Sequence, residues 1–165
     1  MNDKVRRYDD EVGFLESMIN HIRNNYDIDD EDRIDLADYL FEMSNSNSRE
    51  LRSRLTQLIC HMLKLQYQPQ RATSSWLKSI TNQTIEISQL VKDSPSLKPR
   101  LCDTLPDIYK DGLDLAKTET KLDDSIFPKQ CPWTFDQLLN KDYVLSYMKE
   151  YEQKITNPYY SKSSS

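Results

Sequence analysis

The stretch DEDRIDLADYLFEMSNSNSRELRSRLTQLICHMLKLQYQ, residues 30–68, decides the fold. Leu36, Leu40, Leu51, Leu55, Leu58, Met62 and Leu65 share one helical seam if the helix passes unbroken through Ser44, Asn45, Ser46, Asn47 and Ser48. A run of small polar residues ordinarily marks a loop. The spacing from Leu40 to Leu51 nevertheless keeps register when Ser44 and Asn47 take seam positions. The sequence therefore predicts one long helix, with small residues where another helix crosses closely; a break into two helices is the competing arrangement. The helix is expected to stop at Gln68-Pro69, because proline cannot continue the hydrogen-bond ladder.

Working outward, Val5, Tyr8, Val12, Leu15, Ile19 and Ile22 recur every three or four residues and predict a first helix, with Asp9, Asp10 and Glu11 on its outer side. Asn24, Asn25 and Asp27 end that pattern, and Asp29 to Asp32 give the long helix an acidic start that suits its dipole. Downstream, one of Thr73, Ser74 or Ser75 caps a third helix carrying Trp76, Leu77, Ile80, Ile87, Leu90 and Val91 as far as Asp93-Ser94-Pro95. Ser96 caps a fourth, with Leu97, Leu101, Ile108 and Leu115 inward and a kink or split expected at Pro106. Residues 126–134 hold Pro128 and Pro132 and read as a loop in which Trp133 is an anchor. Thr134 followed by Gln137 is a capping-box pattern that opens a short helix. A last helix is expected from Asp142 to Ile155, followed by a disordered tail from Pro158 to Ser165.

Bulk composition agrees. With 165 residues the chain has room for a core, and 2 Gly against 7 Pro disfavours the hairpins of a sheet-rich fold. The expected architecture is an all-α, single-domain bundle of five or six helices, with a helical domain at 1–142 and a helical extension plus tail at 143–165. A net charge of −5 argues against nonspecific binding to duplex nucleic acid. Cys60, Cys102 and Cys131 form no CxxC pair and read as reduced core thiols, and no signal-like N-terminus or membrane-length apolar run is present, so a cytoplasmic protein with no membrane role is expected.

Several strings carry a resemblance. Tyr8-Asp9, Glu42-Met43, Arg49-Glu50-Leu51, Arg54-Leu55, His61 through Pro69, Ser75-Trp76, Asp93 through Leu97, Phe127-Pro128 and Cys131 through Thr134 together resemble the bacterial family called domain of unknown function twenty-nine, over about residues 7–142. The resemblance implies an all-helical bacterial cytoplasmic protein and brings no settled activity. The chain departs from the family at Leu65, where Trp is usual, at Ser44, where Gly is usual, and at Tyr39, where an acidic residue is frequent.

The candidate chemistry lies on the long helix. Glu50, Arg54, Gln57, His61, Lys64 and Gln68 follow spacings of four, three, four, three and four, which makes one polar stripe beside the seam. A neutral imidazole between cations can act as a base or meet an anion, whereas the bland reading is a solvated face with ordinary ion pairs such as Glu50 with Arg54. Arg54 and His61 also form an Arg-x6-His pattern that superficially resembles HEPN ribonucleases, in which Arg holds the phosphate and His moves a proton. Tyr67, Gln68, Arg71 and Trp76 cluster at the Pro69 turn, either as a ligand grip or as a packed corner. Asp35, Asp38 and Glu42 form an acidic stripe able to attract a hard cation or to pair with Arg49. No His-x3-His, Gly-rich phosphate loop or cofactor fingerprint occurs, so neither metal nor cofactor is expected. The leading expectation is a non-catalytic module that binds a protein partner or itself, with Glu50, Gln57, Lys64, Tyr67, Gln68, Arg71 and Trp76 as its contacts. The alternative is an RNA-cleaving enzyme that uses Arg54 and His61.

Overall fold

Residues 9–24 and 30–156 are described by the computed structural model. Over them run seven α-helices: α1 Glu11–Asn24, α2 Asp30–Tyr67, α3 Ser74–Asp93, α4 Leu97–Leu101, α5 Leu105–Thr120, α6 Phe135–Leu139 and α7 Lys141–Thr156. Short 3-10 turns stand at Pro69–Arg71, Cys102–Thr104 and Asp124–Ile126, and the described residues contain no strand. The all-α class holds, and α2 is one continuous helix of 38 residues. The expected helical positions Val5 and Tyr8, the break at Asn25 and Asp27, Asp29 of the acidic start and the 158–165 tail lie outside the described residues. The chain divides into two compact units, Met1–Arg52 with Gln89–Cys102 and Ser53–Ser88 with Asp103–Ser165.

In the first unit, Val12, Leu15, Ile19 and Ile22 of α1 are buried, and Ile19 and Ile22 pack with Ala37 and Leu40 of α2. The Ser/Asn run stays helical because its polar atoms are used. Ser44 is buried and its hydroxyl accepts from Arg100 of α4 at 2.6 Å, while the same guanidinium donates to Asn45 at 2.8 Å and to Glu16 at 3.2 Å. Asn47 donates to Glu11 of α1 at 3.4 Å. Small side chains there leave room for a forked donor, and the fork supplies the partners a buried hydroxyl needs. Asp10, expected on an outer face, instead caps α1. Its carboxylate accepts from the Gly13 amide at 3.0 Å and from the amide and hydroxyl of Ser96 at 3.2 and 2.9 Å. Ser96 consequently gives α4 no side-chain cap, contrary to expectation.

The second unit is built around the C-terminal half of α2. Leu55, Leu58, Ile59, Cys60, Met62, Leu63 and Leu65 are all fully buried, so apolar groups surround this half-helix on most sides, as in the middle of a bundle. Ile80 of α3, Ile108 and Ala116 of α5, Leu138 of α6 and Val144 of α7 complete the core. Gly112 lets α5 approach α2, since a Cβ there would sit 2.8 Å from Ile59 Cγ2 and 3.0 Å from the Thr56 carbonyl oxygen. Pro106 starts α5 after a 3-10 turn, so the fourth helix is split, as the proline demands. The Thr134/Gln137 capping box forms with both bonds, at 3.2 and 2.9 Å. Trp133 is buried with its ring edge-on to Tyr147. Beyond residue 142, Val144 and Met148 are buried and Tyr147 donates to Gln66 at 2.9 Å, which ties α7 to this unit.

One expectation of the seam fails. Leu36 is 43% exposed. Spacing fixes the direction in which a side chain points, not what meets it; the row buried in this part of α2 is Ala37 and Ser44, with Leu40 beside it, turned away from Leu36.

Candidate functional site

Of the polar stripe of α2, Arg54, Gln57, His61, Lys64 and Gln68 lie in the second unit and Glu50 in the first. Lys64 reaches inward: its side chain is 5% exposed, its ammonium pairs with Glu119 of α5, and it stands 4.1 Å from the centre of the Trp76 ring. An ammonium taken out of water needs a counter-charge, and this one has a carboxylate and an aromatic face. Gln68 is buried and its amide donates to the Thr120 carbonyl at 3.5 Å. The Tyr67 ring lies edge-on to Phe127, with centroids 5.2 Å apart. These three side chains are thus engaged by α3, α5 and the 121–134 loop, which is the packed-corner arrangement. Arg71 is exposed at the end of its 3-10 turn.

His61 is half-buried, with Nδ1 2.9 Å from the Gln57 carbonyl; the neutral ring donates there. Burial holds its pKa below the usual imidazole value, the nearby Lys64 ammonium lowers it further, and the Gln57 bond and Glu119 oppose both. The sequence had assigned this effect to neighbouring cations, but desolvation is the larger cause. Arg54 turns to α3, where its guanidinium stands 3.5 Å from Glu86 and 3.4 Å from the Gln83 side-chain oxygen. It lines an open groove of about 510 Å3 with Asn82, Gln83, Ile85 and Glu86. His61 is not among the walls of that groove, and Glu86 brings negative charge to where a phosphate would have to lie. Glu50 is exposed on α2.

Sequence reasoning missed Glu119, Thr120, Gln83 and Glu86. No local spacing ties α3 or α5 to the α2 stripe; only the tertiary fold does. A second cleft, of about 320 Å3, is lined by Leu105, Pro106, Tyr109, Lys129, Gln130 and Cys131, and its Tyr109 hydroxyl is already donated to the Pro128 carbonyl at 2.6 Å. Cys60 is buried, and burial pushes its thiol up to about 12. Cys131 is half-buried, but Cys102 is exposed rather than a core thiol, because the short Cys102–Thr104 turn presents it to water. Among the described residues no group of three or more His, Cys, Asp or Glu is placed to hold a metal ion. Of the acidic stripe, Glu42 pairs with Arg49 at 3.4 Å, and Asp35 and Asp38 are exposed.

What remains open lies on the N-terminal half of α2, in the first unit. Leu36, Tyr39 and Met43, at spacings of three and four, form an exposed row in which Tyr39 is 65% accessible. Ile34 and Phe41 are exposed on the other flank of the buried strip. Five large apolar side chains are thus exposed within ten residues, in two rows on opposite flanks of the buried strip, unlike the scattered single apolar groups of an ordinary surface.

Comparison with known proteins adds one finding. The family model described as Domain of unknown function DUF29 matches residues 8–144. Neither the curated proteins nor the solved structures contain a match to the chain. Among the described residues, no helix is long and apolar enough to cross a membrane.

Proposed function

The chain belongs to the DUF29 family, which carries no assigned activity, and from that premise we propose that it is a non-catalytic, cytoplasmic module that binds another protein through the N-terminal half of α2. The observation that carries this reading is the exposed row Leu36, Tyr39 and Met43. Tyrosine and methionine are enriched in the cores of protein interfaces because they bring large contact area at low or adaptable conformational cost. The stripe residues first suspected support it less well, since Lys64 and Gln68 are engaged inside the second unit. RNA cleavage draws no support from the Arg54 groove, which lacks His61 and contains Glu86.

A photo-crosslinking amino acid placed at position 39 in the native cell tests the reading. It predicts a discrete protein adduct at that position and none from the same label at Asp111, an exposed residue of α5 in the second unit. Equal adduct patterns at both positions, or none at 39, would refute it.

A further inference from the structure

The carboxylates beside the apolar row say what kind of partner fits it. On a helix, Asp35, Asp38 and Glu42 fall at successive spacings of three and four, on the face next to Leu36, Tyr39 and Met43. All three are exposed. Ile34 and Phe41 border the same acidic face on its other side. The outward surface of this half-helix is therefore an acidic strip between two apolar rows. From Ile34 to Met43 it extends for about 13 Å, or roughly two and a half turns. A second copy of the chain is a poor occupant, because antiparallel pairing centred on the apolar row would set Asp35 against Glu42 and Asp38 against Asp38, and parallel pairing in register would set each carboxylate against itself. Glu42 keeps one basic neighbour, Arg49, but that pair is solvent-exposed on both sides and gives it little neutralisation.

We infer that the α2 face docks a short amphipathic helix whose apolar side covers Leu36, Tyr39 and Met43 and whose flanking lysines or arginines meet Asp35, Asp38 and Glu42. This rests on the reading of the row as the partner-binding face and adds the chemistry of the partner. The apolar contacts give affinity, and the charges choose among partners and set the salt dependence. Helices that pack along one another meet through residues at successive spacings of three and four, which is the spacing of 36, 39 and 43.

The test uses the full chain and three synthetic helical peptides with one identical leucine face, flanked by lysine, glutamine or glutamate, titrated by fluorescence anisotropy. The lysine peptide is expected to bind, the glutamine peptide about tenfold more weakly, and the glutamate peptide not at all. Asp35→Asn with Asp38→Asn and Glu42→Gln should remove the preference for lysine and leave the glutamine peptide unchanged. Leu36→Gln with Tyr39→Gln should abolish binding of every peptide. Equal binding of all three peptides overturns the charge inference and leaves the partner-binding reading standing. Absence of binding, or binding indifferent to Leu36→Gln with Tyr39→Gln, overturns both. Concentration-dependent dimerisation of the chain that Tyr39→Gln removes would make a second copy the occupant and would also overturn the inference.

Discussion

Replacing Glu119 by glutamine and Lys64 by methionine should cost unequal amounts of stability, although the two side chains form one ion pair. Lys64 is almost wholly buried, with 5% of its side chain accessible, whereas Glu119 retains 43%. A unit pair at about 4 Å is worth about 4 kcal/mol at an effective dielectric near 20, and the half-exposed carboxylate has at least half of that screened by water. Glu119→Gln keeps a carbonyl oxygen for the ammonium but removes its counter-charge, and the Trp76 face still gives about 1 kcal/mol. The net expected loss is about 2 kcal/mol. Lys64→Met fills the same space without a charge to desolvate, and the freed carboxylate turns to water, so a loss under about 1 kcal/mol is expected. With Lys64→Met in place, Glu119→Gln should become nearly neutral, giving a coupling of about 1–2 kcal/mol. Urea unfolding followed by tryptophan fluorescence reads this unit, since Trp76 and Trp133 both lie in it. At about 2 kcal/mol per molar urea, Glu119→Gln should move the midpoint by about 1 M. A Lys64→Met loss equal to or larger than that of Glu119→Gln would refute the asymmetry.

Three further outcomes follow from the same packing. Gly112→Ala gains about 1 kcal/mol of helix propensity but drives a Cβ to 2.8 Å from Ile59 Cγ2, so overpacking of about 1–3 kcal/mol should make it a net loss in urea unfolding; a stabilised variant would contradict the close approach of α5 to α2. The NMR titration of His61, identified by comparison with His61→Gln, should have its midpoint below 6.5. Because the unfolded imidazole then takes its proton first, stability falls as pH drops through 6.5 toward the folded-state midpoint and is untouched above, and His61→Gln should flatten that slope. A midpoint at or above 6.5 would show that burial is not the dominant cause. With a disulfide reagent at pH 8 the native chain should expose Cys102 quickly, Cys131 slowly and Cys60 only on unfolding, as its burial and a pKa of about 12 require.

The helices were legible because each carries its own period and punctuation. Thr134 with Gln137, Pro106 and the Leu51–Leu65 seam act within a few residues, so reading along the chain finds them. The Ser/Asn run was legible only as register; its reason, the Arg100 fork, comes from a residue more than fifty positions away. Sequence distance likewise hid Glu119 from Lys64 and Glu86 from Arg54, so the intramolecular partners of the stripe could not be read along the chain. Leu36 misled in the opposite sense. Its spacing matches the core rows, and nothing local distinguishes an apolar side chain that meets α1 from one that meets water.

The measurement closest to the central claim is the unfolding free energy of the full chain carrying Leu36→Gln, Tyr39→Gln and Met43→Gln, followed by far-ultraviolet circular dichroism. Glutamine matches leucine and methionine in helix propensity, so packing dominates the change. A loss under about 1 kcal/mol is expected, together with loss of peptide binding, because a row held for a partner adds little to the fold. A loss of about 3 kcal/mol or more would place these side chains in the core of the chain's own fold and contradict the account.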